Sequence, residues 1–340
     1  MAWTEKCGFK YPETWEEWDQ LVQGPIHFRY GLPEIVDLTV TEFGPTRGVE
    51  VQPKWELPEK LVIISAVTGS FLSRRQNPNI PYTAEEIRRD AEECLQAGSP
   101  SVHIHARDEK GLPSPDIKLY HEIMDPLKEK YPDHVIDACC SQGKTHREGL
   151  APVEEGLLEI APVNVTAVYC GDTLRASPPS WIMAKTEYIQ RRGAKPLVAV
   201  YDTGDIDSVN RYLIKTGILE KPYYWGIVPA IPGCTPMPNP KAMMQVLLFY
   251  FERIKEIDPD SIINVCGCGR ASSYLTTAAI LLGTHSVRVG MEDSIYKYPD
   301  KNDRITSNVE EFNRTKQIAQ LLGREIATGD DYRRLIGLIK

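Results

Sequence analysis

The chain has 340 residues, a formal net charge of −8, 42% hydrophobic and 25% charged residues. That length suits one large domain or two ordinary ones, and the acidic balance argues against nucleic acid as partner while leaving room for a local basic pocket. No apolar run approaches the roughly 20 residues of a membrane span, the start MAWTEKCGFKYPETWEEWD has no apolar signal core, and the eight scattered cysteines, without a CxxC, read as free thiols of a reducing cytosol.

Residues 1–58 differ from the rest of the chain. They hold Trp3, Trp15, Trp18 and Trp55 with Pro12, Pro25, Pro33, Pro45 and Pro53, and show little periodicity. This arm is predicted to be an extension that wraps the main domain or a neighbouring subunit. From residue 59 a regular rhythm begins. Short apolar runs predict strands at 61–67, 101–106, 134–140, 164–169, 195–201, 223–230, 261–266 and 285–290. Helices are predicted between them: 84–98, capped by Thr83 and ended by Gly98, then about 116–130, about 151–159, 180–193, one reaching about 216, 240–256, 274–283 and 307–323. Eight strand–helix units without a break predict an α/β chain folded as a (β/α)₈ TIM barrel over 59–340. A doubly wound open sheet is the alternative, but the first loop reads TGSF and not GxGxxG.

In such a barrel, chemistry lies at the C-terminal ends of the strands. The second strand ends VHIHAR. Side chains two apart on a strand share a face, so His103 and His105 can grip one metal ion. The last strand lies beside the first, as the second does, so Glu292 just beyond its end can complete a His-His-Glu set with one position open. Arg288 and Asp293, five residues apart, can pair across that same turn and are catalytic candidates, with Ser141 at the third strand's end as another. Further candidates for holding substrate or cosubstrate are Thr68, Ser70 and Phe71 after the first strand, Arg107, Cys140, Gly233, and the loop Gly267, Gly269, Arg270, where glycines let backbone approach a phosphate.

Read together, ISAVTGS, NPNIPYTAEEI, VHIHARDEKGLPS, IPG, GCGR and VRVGMEDS resemble the β-keto acid cleavage enzymes, over about residues 60–325. The resemblance implies Zn²⁺ on His103, His105 and Glu292, with Arg288 and Asp293 as catalytic residues. It implies a reaction of a β-keto acid with acetyl-CoA that gives acetoacetate and a new acyl-CoA, by enolate formation, CoA transfer and retro-Claisen cleavage. It also implies a homo-oligomer, a tetramer in the family. The partners are then small molecules, without nucleic acid or membrane, and the setting cytoplasmic. The chain departs from the family pattern where substrate should lie: TGSF with Phe71 replaces TGAE, Cys140-Ser141-Gln142-Gly143 replaces Ser-Thr-Gly-Gly, and VYCGD replaces an NAGT-like stretch. The family's amine-recognising glutamate is therefore missing. Rival readings are a zinc-dependent hydrolase or C–C lyase on the same barrel that needs no acetyl-CoA, and a non-catalytic barrel with a closed metal site.

Overall fold

Eight parallel strands, each short and almost wholly buried, carry the fold of the computed structural model, which describes residues 12–21, 54–235 and 239–340. In chain order the strands are β1 (Lys60–Ala66), β2 (Ser101–Ile104), β3 (Val135–Ala138), β4 (Ile160–Asn164), β5 (Ala167–Cys170), β6 (Thr173–Ala176), β7 (Lys195–Val200), β8 (Tyr224–Ile227), β9 (Ile262–Cys266), β10 (Ser286–Val289) and β11 (Glu325–Ile326). The helices are α1 (Trp15–Leu21), α2 (Ala84–Gln96), α3 (Ile117–Lys130), α4 (His146–Glu154), α5 (Pro179–Arg191), α6 (Thr203–Val209), α7 (Pro240–Ile257), α8 (Ser272–Leu281), α9 (Asn308–Leu321) and α10 (Gly329–Leu335). Parallel ladders run in the order β3-β2-β1-β10-β9-β8-β7-β4, a nearly closed α/β barrel. Among the described residues no ladder joins β3 to β4; the ring meets there through side chains.

The alternation of each strand explains the barrel's interior. Inward residues near the strand starts are apolar: Val62, Ile64, Val135, Ile160 and Ile262 form one cluster with Tyr224. The next inward positions up each strand turn polar, with His103, Asp137, Asn164, Asn264 and Arg288 facing the upper cavity. Helix α10 packs into the lower cluster through Tyr332 and Ile336, and the Tyr332 and Tyr224 hydroxyls share a hydrogen bond of 2.7 Å. The outward residues pack beneath the helices in one large apolar core.

The helix starts follow local chemistry. Thr83 and Glu86 form a capping box at α2, and Thr145 and Glu148 form another at α4. That second box corrects the sequence reading: the helix predicted near 151–159 begins at His146, because T-x-x-E starts it five residues earlier. The fourth strand is corrected too. Composition places it at 164–169, but the barrel strand is Ile160–Asn164, with Pro162 inside it opposite Leu197. Proline argues against a strand on sequence grounds. The apolar residues after it form an antiparallel hairpin, β5–β6, outside the barrel ring. The chain's last residues, to which the sequence pattern assigns no element, supply β11, which pairs with β1, and α10.

The described parts of the N-terminal arm are α1, where Trp15 and Trp18 lie with ring centroids 6.4 Å apart, and residues 54–58. The expectation that residues 1–58 wrap the barrel or a neighbour falls mostly outside the described residues. No described helix is long and apolar enough to cross a membrane.

His285 precedes β10 in a largely buried setting. Burial, with Lys255 and Arg324 nearby, pushes its pKa down to about 4. The unfolded chain binds a proton near 6.5 that the folded chain refuses. Stability should therefore be full above pH 6.5 and fall by about 1–3 kcal/mol as pH drops toward 4. Urea unfolding of the protein and of His285→Gln at pH 7 and pH 4.5 checks this: the variant should lose less stability between the two.

Candidate active site

The two histidines stand where β2 leaves the barrel. Both are nearly buried, at 6% and 5% exposure, with ring centroids 5.4 Å apart. Glu292 reaches them from the turn after β10. Gly290 makes that turn at φ +134°, and a Cβ there would strike the Ala66 carbonyl. Gly69 faces the Glu292 side chain so closely that any larger residue would displace it. The Glu292 amide donates to the Ala66 carbonyl at 3.1 Å, which fixes the carboxylate over the end of β1.

Glu292 Oε1 lies 3.1 Å from His105 Nε2, and Oε2 lies 3.6 Å from His103 Nε2. The three donor atoms fall within 4.8 Å of one another. The remote ring nitrogens have their own partners. His103 Nδ1 lies 2.9 Å from Asp137 Oδ2, which holds its proton and frees Nε2. His105 Nδ1 lies 2.8 Å from Ser70 Oγ and 2.7 Å from Gln142 Nε2. Glu292 Oε2 is buried without a hydrogen-bond partner. Burial opposes a charge on His105, yet Glu292 and Cys139 push its pKa up to about 10. The cluster thus demands positive charge at its centre, and two imidazoles plus a carboxylate with an orphaned oxygen fit a divalent metal.

Beside it, Arg288 forks onto Asp293, with Nε–Oδ2 at 2.9 Å and Nη2–Oδ1 at 2.5 Å, and also reaches Glu292 Oε1 at 3.2 Å. Burial raises the Asp293 pKa and Arg288 opposes that rise. Burial also disfavours the Glu292 charge, but Arg288 and the two histidines outweigh it and hold the carboxyl well below the usual range. His103, His105, Glu292 and Arg288 line a cavity of about 450 Å³ at the C-terminal end of the barrel, and Asp293 is buried behind Arg288.

The family model for beta-keto acid cleavage enzymes matches residues 60–338, the whole barrel. The chain belongs to this family. A 3-keto-5-aminohexanoate cleavage enzyme of Fusobacterium nucleatum is 34% identical over 285 residues, 83% of this chain and 99% of that protein. One from Acetoanaerobium sticklandii is 31% identical over 83% of this chain and 100% of its own length. A 3-oxoadipate:acetyl-CoA acetyltransferase of Cupriavidus necator is 23% identical over 83% of this chain and 96% of its own. Among solved structures, ObcA with oxaloacetate superposes with a TM-score of 0.64 at 19% identity, over 76% of this chain and 67% of that one, a likeness of fold.

The remaining candidates of this beta-keto acid cleavage family member divide by place. Ser70 and Phe71 line the cavity, Phe71 exposed at its rim. Ser141 stands at its edge, its hydroxyl 3.4 Å from Asn164 Nδ2 and 3.3 Å from Lys185 Nζ. Thr68 and Arg107 lie behind the wall. Arg107 donates to Thr68 Oγ1 at 3.0 Å, Leu72 O at 2.8 Å and Gly111 O at 2.7 Å, as well as to Gly69 O. Its guanidinium buckles the β1–α2 loop and is not free for substrate. Cys140 also turns away, its thiol toward Pro162 O, because alternation along β3 gives the inward place to Cys139. Gly233 lies in the loop after β8, where its carbonyl accepts from the Gly171 amide at 3.2 Å.

The β9 loop departs from the phosphate expectation. The Gly269 amide donates to Asp293 O at 2.8 Å, Gly267 packs against Ser272, and Arg270 stacks on Tyr296 at 3.9 Å while bonding Lys301 O and Asn302. The loop braces the Asp293 turn, and Arg270 faces a separate surface hollow. Sequence reasoning gives no role to Asp137, Cys139 or Arg175. Alternation through HVIDACC carries the signal for Asp137 and Cys139. Arg175 has none, since nothing in the sequence marks the hairpin that bears it.

Replacing His103 by Ala should abolish stoichiometric binding of an added divalent metal, read by elemental analysis, while circular dichroism shows an intact barrel. Asp137→Asn should keep the metal but bind it about 10–100-fold more weakly in a chelator competition.

Proposed function

We propose that this protein joins a β-keto acid to acetyl-CoA and cleaves it to acetoacetate and the acyl-CoA of the shortened chain, with Zn²⁺ held by His103, His105 and Glu292. The observation that carries the reading is that family membership coincides with three convergent donors, one with an orphaned oxygen, at the floor of an open cavity. A divalent cation so held would polarise the keto carbonyl and lower the cost of an enolate.

The chain's own residues do the rest. Asp293 takes the proton from the carbon between keto group and carboxylate, and Arg288 keeps Asp293 placed. That carbon then bonds to the acetyl carbon as the thioester C–S bond breaks. The released thiolate takes the remaining acyl group as the bond between the old keto carbon and its neighbour breaks, and the proton returns to acetoacetate. Asp137 accepts from His103 Nδ1 and so frees its Nε2, while Ser70 and Gln142 hold the His105 ring in place. Ser141 offers its hydroxyl at the cavity's edge to the bound acid. Phe71 stands exposed at the rim, where it leaves no carboxylate for an amine.

The same reading carries a cytoplasmic homo-oligomer. Free thiols at the seven described cysteines support the first, and exposed Leu248 and Phe249 on α7 support the second.

Zinc-loaded protein offered a panel of β-keto acids should release acetoacetate and a new acyl-CoA, read by mass spectrometry, only when acetyl-CoA is present. Cleavage without acetyl-CoA would favour the hydrolase or lyase. Asp293→Asn should retain Zn²⁺ and lose at least about 100-fold in kcat.

A further inference from the structure

A second chamber of about 230 Å³ opens beside the main cavity, and the two share Ser141, Gln142, Asn164 and Arg175 as a common wall. Its inner end holds Lys185 of α5. This lysine is 4% exposed, and its Nζ meets only neutral acceptors: Ser141 Oγ at 3.3 Å and Cys140 O at 3.4 Å. No carboxylate lies within ion-pair distance of it among the described residues. Lysines are almost never fully buried unless paired. Arg175 of β6 lines both spaces, and no ion pair or hydrogen bond to its guanidinium is found among the described residues. The chamber's acidic neighbour, Glu148, is committed elsewhere: its carboxylate accepts from the Lys144 amide at 2.6 Å and the Thr145 amide at 3.3 Å. Buried Lys185, Arg175 and the exposed Lys144 therefore line one small polar space, and none of the three has an ion pair among the described residues.

The metal site stands differently. Glu292, Asp293 and Asp137 already surround Arg288 and the two histidines there. A divalent cation held there would bring that cluster to neutrality and would supply a positive charge for the carboxylate that every β-keto acid carries two bonds from its keto carbon. The side chamber lies beyond Ser141 and Gln142, further along any chain that starts at the metal. It begins one side chain from His105, since Gln142 touches that ring. The phosphates of a CoA ester, held off by the long pantetheine arm, cannot lie so close to the reacting carbonyl. A hydrogen-bonded path from Tyr201 through Asn164, at 2.8 Å, to Ser141 lines the way in.

We propose that this chamber binds the far carboxylate of a β-keto dicarboxylic acid, with Lys185 and Arg175 as its two cationic arms. The proposal rests on the β-keto acid reading of the cavity and adds the class of substrate. It also accounts for the hairpin β5–β6, which is what brings Arg175 over the cavity.

Binding is tested apart from turnover. Calorimetry on the zinc-loaded protein compares adipate with hexanoate, which differ only in the second carboxylate. Adipate should bind at least about tenfold more tightly, and that preference should vanish in Arg175→Gln and Lys185→Met. Equal affinity for the two acids, or a preference that survives both substitutions, would overturn the proposal. In parallel, the ratio of kcat/KM for 3-oxoadipate over 3-oxohexanoate should exceed about ten and fall toward one in both variants. A loss of equal size on both substrates would mean that Lys185 and Arg175 hold the carboxylate common to all β-keto acids, and would also overturn it. Adipate preference without any acyl-CoA product would leave the anion site standing and remove the reaction; acyl-CoA product without diacid preference would do the reverse.

Discussion

One guanidinium keeps the mouth of this barrel from failing electrostatically. Arg288 grips Asp293 with two bonds and touches Glu292 with a third, inside a cluster that water hardly reaches. Removing it would strand two carboxylates, a loss on the order of 3–5 kcal/mol for a buried pair. Much of the surrounding architecture serves that arrangement. Gly290 and Gly69 clear the space for Glu292, the Gly269 amide and Ser294 tie the Asp293 turn to the β9 loop, and Arg107 buckles the loop carrying Ser70. The polar layer rests on an apolar one, in which Val62, Ile64, Val135, Ile160 and Ile262 pack with Tyr224 and Tyr332.

The barrel is legible in the sequence because each strand is short, apolar and flanked by turn residues, and because strand and helix alternate throughout. His103, His105 and Glu292 are legible for a narrower reason: spacing along a strand fixes which side chains share a face, and neighbouring strands bring their ends together. The failures mark where local pattern and tertiary context part. Pro162 sits in a strand whose composition argues against one. Choosing Cys140 over Cys139 is a slip of one residue, and it reverses the face. Arg107 looks from sequence like any strand-end arginine; only the fold shows its donors turned onto backbone carbonyls. Arg270 belongs to a glycine-rich loop whose amides turn inward to a neighbouring turn.

The division of labour within the site runs along the same line. Groups that orient the two histidines and the Arg288–Asp293 pair come from strand ends and tight turns, where backbone geometry leaves few choices. Phe71, the β5–β6 hairpin and Lys185 come from a rim loop, an insertion and a helix, where sequence is free to vary without disturbing the ladders. A chain can keep the chemistry of the floor and change the acid it accepts at the wall.

The seam between β3 and β4 gives that freedom a location. A barrel strand normally commits both of its edges to neighbours, so any added segment must break hydrogen bonds to enter. Here the facing edges of β3 and β4 carry no ladder among the described residues, and the hairpin leaves the chain directly after β4. Lengthening, shortening or exchanging that segment disturbs no strand pairing. The gap is thus a place where a different recognition element can be joined to the same catalytic floor without unpairing a barrel strand.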